Sequence, residues 1–130
     1  MEEGVTIICT PVMEKPLRKV LEGMSPKFLF FNGKKSIADQ GHRLDFFEVA
    51  NSHVQGLSFL YLPNESIIYE GDLLSVPEDG TITPAIPVYI EFYRFLKQHR
   101  LSYKRIIGHH GLSDISPILF KKIRFAPQKK

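Results

Sequence analysis

Three polar residues lie just after apolar segments of the sequence, and their types suit metal binding. His53 follows "LDFFEVAN", Asp72 follows "SIIYEG", and His110 follows "RIIGH". Glycines nearby let backbone segments approach each other closely. Because sites in α/β sheets form beyond the strand ends, the three side chains can converge although they are far apart in the chain. Imidazole nitrogen and carboxylate oxygen bind zinc, iron and manganese.

Each of these residues also has a purely structural explanation. A histidine near a strand end is commonly a hydrogen-bonded boundary residue, and an aspartate readily stabilises a turn. His42 lies in the "DQGHR" turn, and His99 lies near the end of a predicted helix, where a cation is favoured. The sequence contains no HxxxH or CxxC pair, so spacing alone leaves both explanations open.

Strand and helix patterns alternate along the chain. Short apolar runs rich in β-branched and aromatic residues predict strands at 4–10, 27–31, 43–51, 56–62, 66–72 and 103–108. Apolar residues at helical spacing predict helices at 16–24 and 88–98, and a terminal helix at 113–123 with Ser113 or Asp114 as its cap. The loop at 75–87 is rich in proline. These elements predict a single α/β layer structure with a mostly buried sheet.

Composition is that of an ordinary globular domain, with 43% hydrophobic and 24% charged residues in 130. The longest apolar runs are far shorter than the roughly 20 residues of a membrane span, and the acidic start "MEEGVTIICTPV" is not a secretory signal. We therefore expect no membrane association and a cytoplasmic location. Cys9 is the single cysteine and lies in an apolar run, which predicts a buried, inert thiol.

The positive charge is concentrated at the C-terminus. Five basic residues fall within "FKKIRFAPQKK", so we expect a solvated basic tail at 121–130. No recognition helix and no aromatic, basic RNA motif accompanies it, and nucleic-acid binding is not expected.

Residues 44–111 resemble the C-terminal half of a metallo-β-lactamase-fold hydrolase. The similarity lies in "ANSHVQGLSFLYLPNESIIYEGDLLSVPEDG", which is followed by a helix and "YKRIIGHHG". In that family a histidine precedes a hairpin, an aspartate closes its second strand, and a later strand ends in a "PGHG"-like turn. Gly108 and His109 then stand at the proline and glycine positions of this turn, and His110 stands at the histidine.

The resemblance implies a fold and a set of roles. The fold is the C-terminal half of an αββα sandwich, a mixed sheet with flanking helices. His53 would bind the first metal, Asp72 would bridge two metals, and His110 would bind the second, with zinc as the expected ion and iron or manganese accepting the same donors. A metal pair lowers the pKa of bound water and supplies hydroxide, which implies hydrolysis of a small ester, lactone, amide or phosphoester.

One family motif is absent from the sequence. HxHxDH, which supplies most of the remaining ligands, does not occur in the 130 residues. Two protein ligands per ion fall short of the three or four that tight zinc binding requires. We therefore expect a partial domain over 1–130, a fragment that binds metal weakly and hydrolyses little by itself.

A missing first half would also leave one sheet face open. The residues expected to be uncovered are apolar, namely Phe28, Phe30, Phe46, Leu57 and Phe59. Exposed patches of this kind favour association, so a homodimer or a complementary chain is the expected partner. The alternative function is a non-catalytic interaction or regulatory module that uses the open face or the basic tail.

Overall fold

The computed structural model describes residues 4–127 and contains eight strands and three α-helices in that range. The strands are Thr6–Cys9 (β1), Lys27–Phe30 (β2), Lys34–Asp39 (β3), His42–Glu48 (β4), Ser58–Leu62 (β5), Ile67–Glu70 (β6), Arg105–Gly108 (β7) and Asp114–Ile115 (β8). The helices are Glu14–Val20 (α1), Pro87–Gln98 (α2) and Pro117–Arg124 (α3), and a 3₁₀ turn at Pro11–Met13 precedes α1.

The strands form two sheets. Six of them make a mixed sheet in the order β3-β4-β5-β6-β7-β8, in which β6 and β7 are parallel and all other neighbours are antiparallel. β1 and β2 form a separate parallel pair, connected through α1. The observed architecture is therefore a mixed sheet with flanking helices, as the sequence predicts.

The core lies between the six-stranded sheet and helices α2 and α3. Phe92 of α2 is fully buried and packs edge-on against Phe59 of β5, with ring centroids 5.4 Å apart. Phe120 of α3 packs against Phe92 at 5.6 Å, and Ile68 and Ile106 complete the buried layer. The apolar spacing in both helices places their buried residues on this one side, so the sheet and the two helices bury a single continuous core.

The opposite face of the sheet carries less cover. Phe46 is half-buried there and packs against Phe31, with ring centroids 6.1 Å apart, while Tyr69 is exposed. Thr10 Oγ1 donates to the Gly56 carbonyl at 2.7 Å and connects the β1–α1–β2 unit to the larger sheet.

The expected set of uncovered residues is wrong at two positions, Phe59 and Leu57. Phe59 is only 3% exposed, because its side chain points to the helix side of β5 and not to the open face. Leu57 is partly buried against the same core, whereas Phe30 is exposed and Phe28 and Phe46 are partly buried. Cys9 is buried, as predicted.

Two further differences concern a strand that the sequence pattern misses and the start of a helix. The sequence pattern does not predict strand β3, because apolar and polar residues alternate only weakly in "KKSIAD". The hairpin that joins β3 to β4 turns at Gln40 and Gly41, both of which have positive φ. Helix α3 begins at Pro117, where the Ser116 side chain accepts from the Leu119 N–H at 3.1 Å, so the predicted caps at 113 and 114 are wrong.

The start of the predicted basic tail is helical. Lys121, Lys122 and Arg124 lie within α3, and Ile123 between them is buried, so positions 121–124 belong to the folded domain. Residues 128–130 of that predicted tail lie outside the described residues. Within residues 4–127, no helix has the length and apolarity needed to cross a bilayer.

The buried contacts of Phe92 predict a large stability loss on truncation. Phe92→Ala removes a fully buried ring that touches Phe59 and Phe120, and should lower the free energy of unfolding by about 3–5 kcal/mol in urea titrations. Phe125→Ala is the matched control, because Phe125 is 62% exposed and its loss should cost less than about 1 kcal/mol. Equal losses in the two variants would contradict this position of the core.

Candidate metal site

Strands β4, β6 and β7 run in the same direction, so their C-terminal ends lie at the same end of the sheet. β5 is antiparallel to both β4 and β6, whereas β6 and β7 are parallel with Glu70 opposite Gly108. The loops that follow these three strands therefore start at the same end of the sheet, and those after β6 and β7 start side by side. They carry His53, Asp72 and His110, respectively.

Two of the three predicted residues are in contact. His110 Nε2 lies 3.0 Å from Asp72 Oδ1, and the side chains remain 61% and 48% exposed. This is hydrogen-bond distance between an imidazole and a carboxylate, and solvent reaches both groups. The pair is able to share a proton or to present one nitrogen and two oxygens to an ion.

His53 borders the same cleft without being part of that contact. The cleft has a volume of about 240 Å³, and the remaining residues around it are Gly71, Ser75, Ile86, Val88 and Tyr89. The backbone N–H of His53 donates to Asn51 Oδ1 at 2.8 Å, which organises the loop. The structure thus brings all three predicted residues to one cleft and brings two of them together.

The adjacent histidines point to different surroundings. The His109 ring packs edge-on against Tyr69, with centroids 4.8 Å apart. It borders a separate cleft of about 370 Å³ next to Phe46 and Ile8, on the open face of the sheet. His109 and His110 therefore serve different surfaces.

A buried carboxyl group lies beneath the Asp72 loop. Glu70 is 2% exposed, and its Oε2 accepts from the backbone N–H groups of Leu73 at 3.0 Å and Leu74 at 3.2 Å. These two bonds close the chain around Asp72 and fix the turn that carries it. Gly108 leaves room for this carboxyl group, because a Cβ there would lie 3.1 Å from Glu70 Oε1.

Burial raises the pKa of Glu70 to about 8, against the opposing effect of the two N–H donors and with a further increase from the Asp72 charge. Among the described side chains, Glu70 Oε1 is one of two fully enclosed polar atoms that lack a hydrogen-bond partner. The carboxyl group is therefore held mainly protonated near neutral pH.

The Asp72 loop is also attached to the His110 turn. The Leu112 N–H donates to the Val76 carbonyl at 2.7 Å. Gly111 lies against the same carbonyl with φ of 67°, and a Cβ at this position would collide with the Val76 oxygen. Only glycine fits there, so the turn that carries His110 is positioned by the loop that carries Asp72.

The donor types fit a metal ion, but the set is incomplete among the described residues. Residues 4–127 contain no group of three or more His, Cys, Asp or Glu side chains arranged to hold an ion. Asp72 and His110 amount to two ligands, whereas a tight zinc site uses three or four. The described residues by themselves do not form a complete metal site, and the ligand roles of His53, Asp72 and His110 stay predictions.

Comparison with solved structures identifies the fold. The chain is similar to rubredoxin oxygen:oxidoreductase from Desulfovibrio gigas, with a TM-score of 0.70 and 10% identity over 92% of this chain and 36% of that one. It is similar to the flavodiiron protein from Giardia intestinalis, with a TM-score of 0.68 and 15% identity over 91% of this chain and 35% of that one. A metallo-beta-lactamase from Pontibacter korlensis gives a TM-score of 0.66 and 18% identity over 94% and 57%.

These similarities show that the chain has the metallo-β-lactamase fold, in the form of a partial sandwich. The predicted fold, and the resemblance to proteins of that fold, are confirmed. The chain spans 35–36% of the length of the two proteins named first. No protein-family model and no curated protein matches the sequence.

Sequence reasoning missed Glu70 as part of the site. A signal was present, since the two-residue period of a strand places Glu70 on the same side as the buried Ile68. A carboxyl group at a core position of a strand, two residues before a candidate ligand, indicates a local structural role for that group.

The raised pKa of Glu70 predicts a fall in stability with rising pH. The unfolded chain ionises near the ordinary glutamate value of 4.5, whereas the folded chain retains the proton up to about 8. Between these limits the unfolded state is increasingly favoured, so the free energy of unfolding should decrease across this window and level off above it.

Glu70→Gln tests this expectation, because the amide oxygen still accepts from Leu73 and Leu74 but does not titrate. Urea titrations from pH 4 to 9 should show a smaller decline in the variant than in the wild type. The exposed Glu22→Gln is the control and should retain the wild-type slope. A wild-type slope in Glu70→Gln as well would contradict the assignment.

Proposed function

We propose that this chain supplies part of the metal site of a metal-dependent hydrolase, with Asp72 and His110 as ligands and His53 as a third. The observation that carries the proposal is the 3.0 Å contact between His110 Nε2 and Asp72 Oδ1 at the strand-end edge. His53 lies at the same cleft, and the loops are held in place by the buried Glu70 and by Gly111. The predicted location stays cytoplasmic, as a hypothesis.

The residues of this chain would bind and orient a metal ion, but they would not complete its set of ligands. Asp72 and His110 present an oxygen and a nitrogen on one side of the cleft, and Ile86 and Val88 provide apolar surface beside them. A bound metal pair would supply an activated water and polarise a carbonyl or phosphoryl oxygen of a small ester, lactone, amide or phosphoester. With two contacting ligands, we expect weak metal binding and little turnover by this chain alone.

A second candidate function is oxidoreductase activity. The similarity to rubredoxin oxygen:oxidoreductase and to a flavodiiron protein favours it, because these structures match over 91–92% of the chain, against 94% for the metallo-beta-lactamase. Iron accepts the same imidazole and carboxylate donors as zinc. The two candidates differ in the reaction measured, hydrolysis of a lactone or β-lactam reporter on the one hand and consumption of oxygen on the other.

Replacement of the two neighbouring histidines tests the ligand assignment. His110→Ala removes the nitrogen donor and Asp72→Asn replaces the carboxylate with a neutral amide, so each should weaken Co²⁺ binding, followed by absorption spectroscopy, by about tenfold or more. His109→Ala is the matched control and should retain wild-type affinity, because His109 packs on Tyr69. Equal effects of His109→Ala and His110→Ala would contradict the proposed site.

We further propose that the β1–α1–β2 unit associates with a second copy of the chain. Among the described strands, β1 and β2 pair only with each other, whereas parallel strands in proteins are normally covered on both faces. Large apolar side chains are exposed in and around this unit, namely Val5, Val12, Val20, Met24 and Phe30. Burial of this surface would stabilise a dimer.

Sedimentation velocity measures this association. The wild type should sediment as a species heavier than 14.9 kDa, and Val20→Lys should shift it toward the monomer. Val20 is 79% exposed, and Ile118→Lys on α3 is the matched control at 70% exposure. A monomeric wild type, or an equal shift in the control, would count against the proposal.

A further inference from the structure

The loop that carries His53 is attached to helix α2 through one side chain. Glu91 Oε1 accepts from the Ser52 hydroxyl at 2.6 Å and from the Ser52 backbone N–H at 3.2 Å. Both donors belong to the residue directly before His53. A carboxylate oxygen that accepts two bonds at this position restrains the backbone on which His53 is mounted.

The side chain of Asn51 ties the loop together through four hydrogen bonds. Asn51 Oδ1 accepts from the N–H groups of His53 at 2.8 Å and Val54 at 2.9 Å. Its Nδ2 donates to the carbonyls of Val49 at 2.8 Å and Val54 at 3.0 Å. The four bonds hold residues 49–54 as one turn, which is joined to the sheet through the Val49 N–H bond to the Leu57 carbonyl at 2.9 Å and to α2 through Glu91.

Helix α2 also holds the Asp72 loop. The Tyr89 hydroxyl donates to the Ser75 carbonyl at 2.9 Å, and Tyr89 itself borders the cleft that His53, Asp72 and His110 share. Tyr89 and Glu91 are two residues apart on a helix whose Val88 and Phe92 are buried in the core. The His53 loop and the Asp72 loop are therefore both attached to helix α2, which is held in the core.

We propose that Glu91 is a positioning residue that sets His53 relative to the Asp72–His110 pair. The inference rests on the proposed function, because it gives His53 a place beside the same ion. Glu91 contacts Ser52, so it acts on His53 through the backbone. Without this attachment, the His53 loop retains its internal hydrogen bonds but is no longer held in a defined position relative to α2. Asp72 and His110 keep their mutual contact.

The test uses the full chain with Zn²⁺ as the probe and the ring nitrogen NMR shifts of the histidines as the readout, because these shifts respond to direct coordination. In the wild type, Zn²⁺ should shift the ring nitrogen signals of both His53 and His110. In Glu91→Ala, the shift at His110 should persist and the shift at His53 should be lost. Glu91→Gln should behave as the wild type, because its amide oxygen still accepts from Ser52.

Amide hydrogen exchange gives a second readout that does not depend on the metal. Loss of hydrogen bonds to a charged group should speed exchange at Ser52 about tenfold or more in Glu91→Ala, with exchange in the buried strand β7 unchanged. Ser52→Ala removes only the hydroxyl donor and should give a smaller change in the same direction. This milder variant keeps the test valid if Glu91→Ala folds poorly.

The outcomes separate the two proposals. If Zn²⁺ shifts the signals of both rings in the wild type and equally in Glu91→Ala, the positioning role is overturned and the proposed function stands. If Zn²⁺ shifts neither ring signal in the wild type, the proposed function is overturned, and hydrogen exchange at Ser52 alone tests the role of Glu91. Faster exchange at Ser52 then supports the attachment of the loop, and unchanged exchange overturns it.

Discussion

The parallel pairing of β6 with β7 is the constraint on which the candidate site depends. Because the two strands run in the same direction, with Glu70 opposite Gly108, the residues that follow them leave the sheet at one edge. Antiparallel pairing would send one of these loops to the other end of the sheet. Parallel neighbours also require a long crossover, and here it contains α2, the helix that supports the loops around the cleft.

A buried acid at the end of β6 shapes the turn that follows. Enclosing Glu70 disfavours its charged form, and the N–H donors of Leu73 and Leu74 only partly oppose this effect. Its carboxyl group also accepts from the two N–H groups that directly follow Asp72, which closes the turn. Buried hydrogen bonds and tight backbone contacts thus hold the segments that carry the exposed Asp72 and His110. The distance between these two side chains is therefore defined although solvent reaches both.

Local patterns predicted most of the strands and helices but not every boundary. Strands such as β5 and β7 and helix α2 carry strong apolar periodicity, and burial enforces that pattern. Strand β3 is mostly polar and exposed, so it follows from pairing with β4 and not from its own residues. The side of the sheet on which Phe59 lies likewise depends on which face the helices cover, and a pattern of alternation does not distinguish the two faces.

The sequence by itself determined the donor types at the candidate site, their positions after apolar strands and the general layer architecture, because these follow from residue chemistry and local periodicity. The family resemblance already separated His110 from His109. Only the tertiary structure decided that His110 is in direct contact with Asp72, that His53 borders the cleft without entering that contact, and that Glu70 and Glu91 support the loops. These are contacts between segments distant in the chain. Sheet register and helix packing determine them, and both are settled by the whole fold at once.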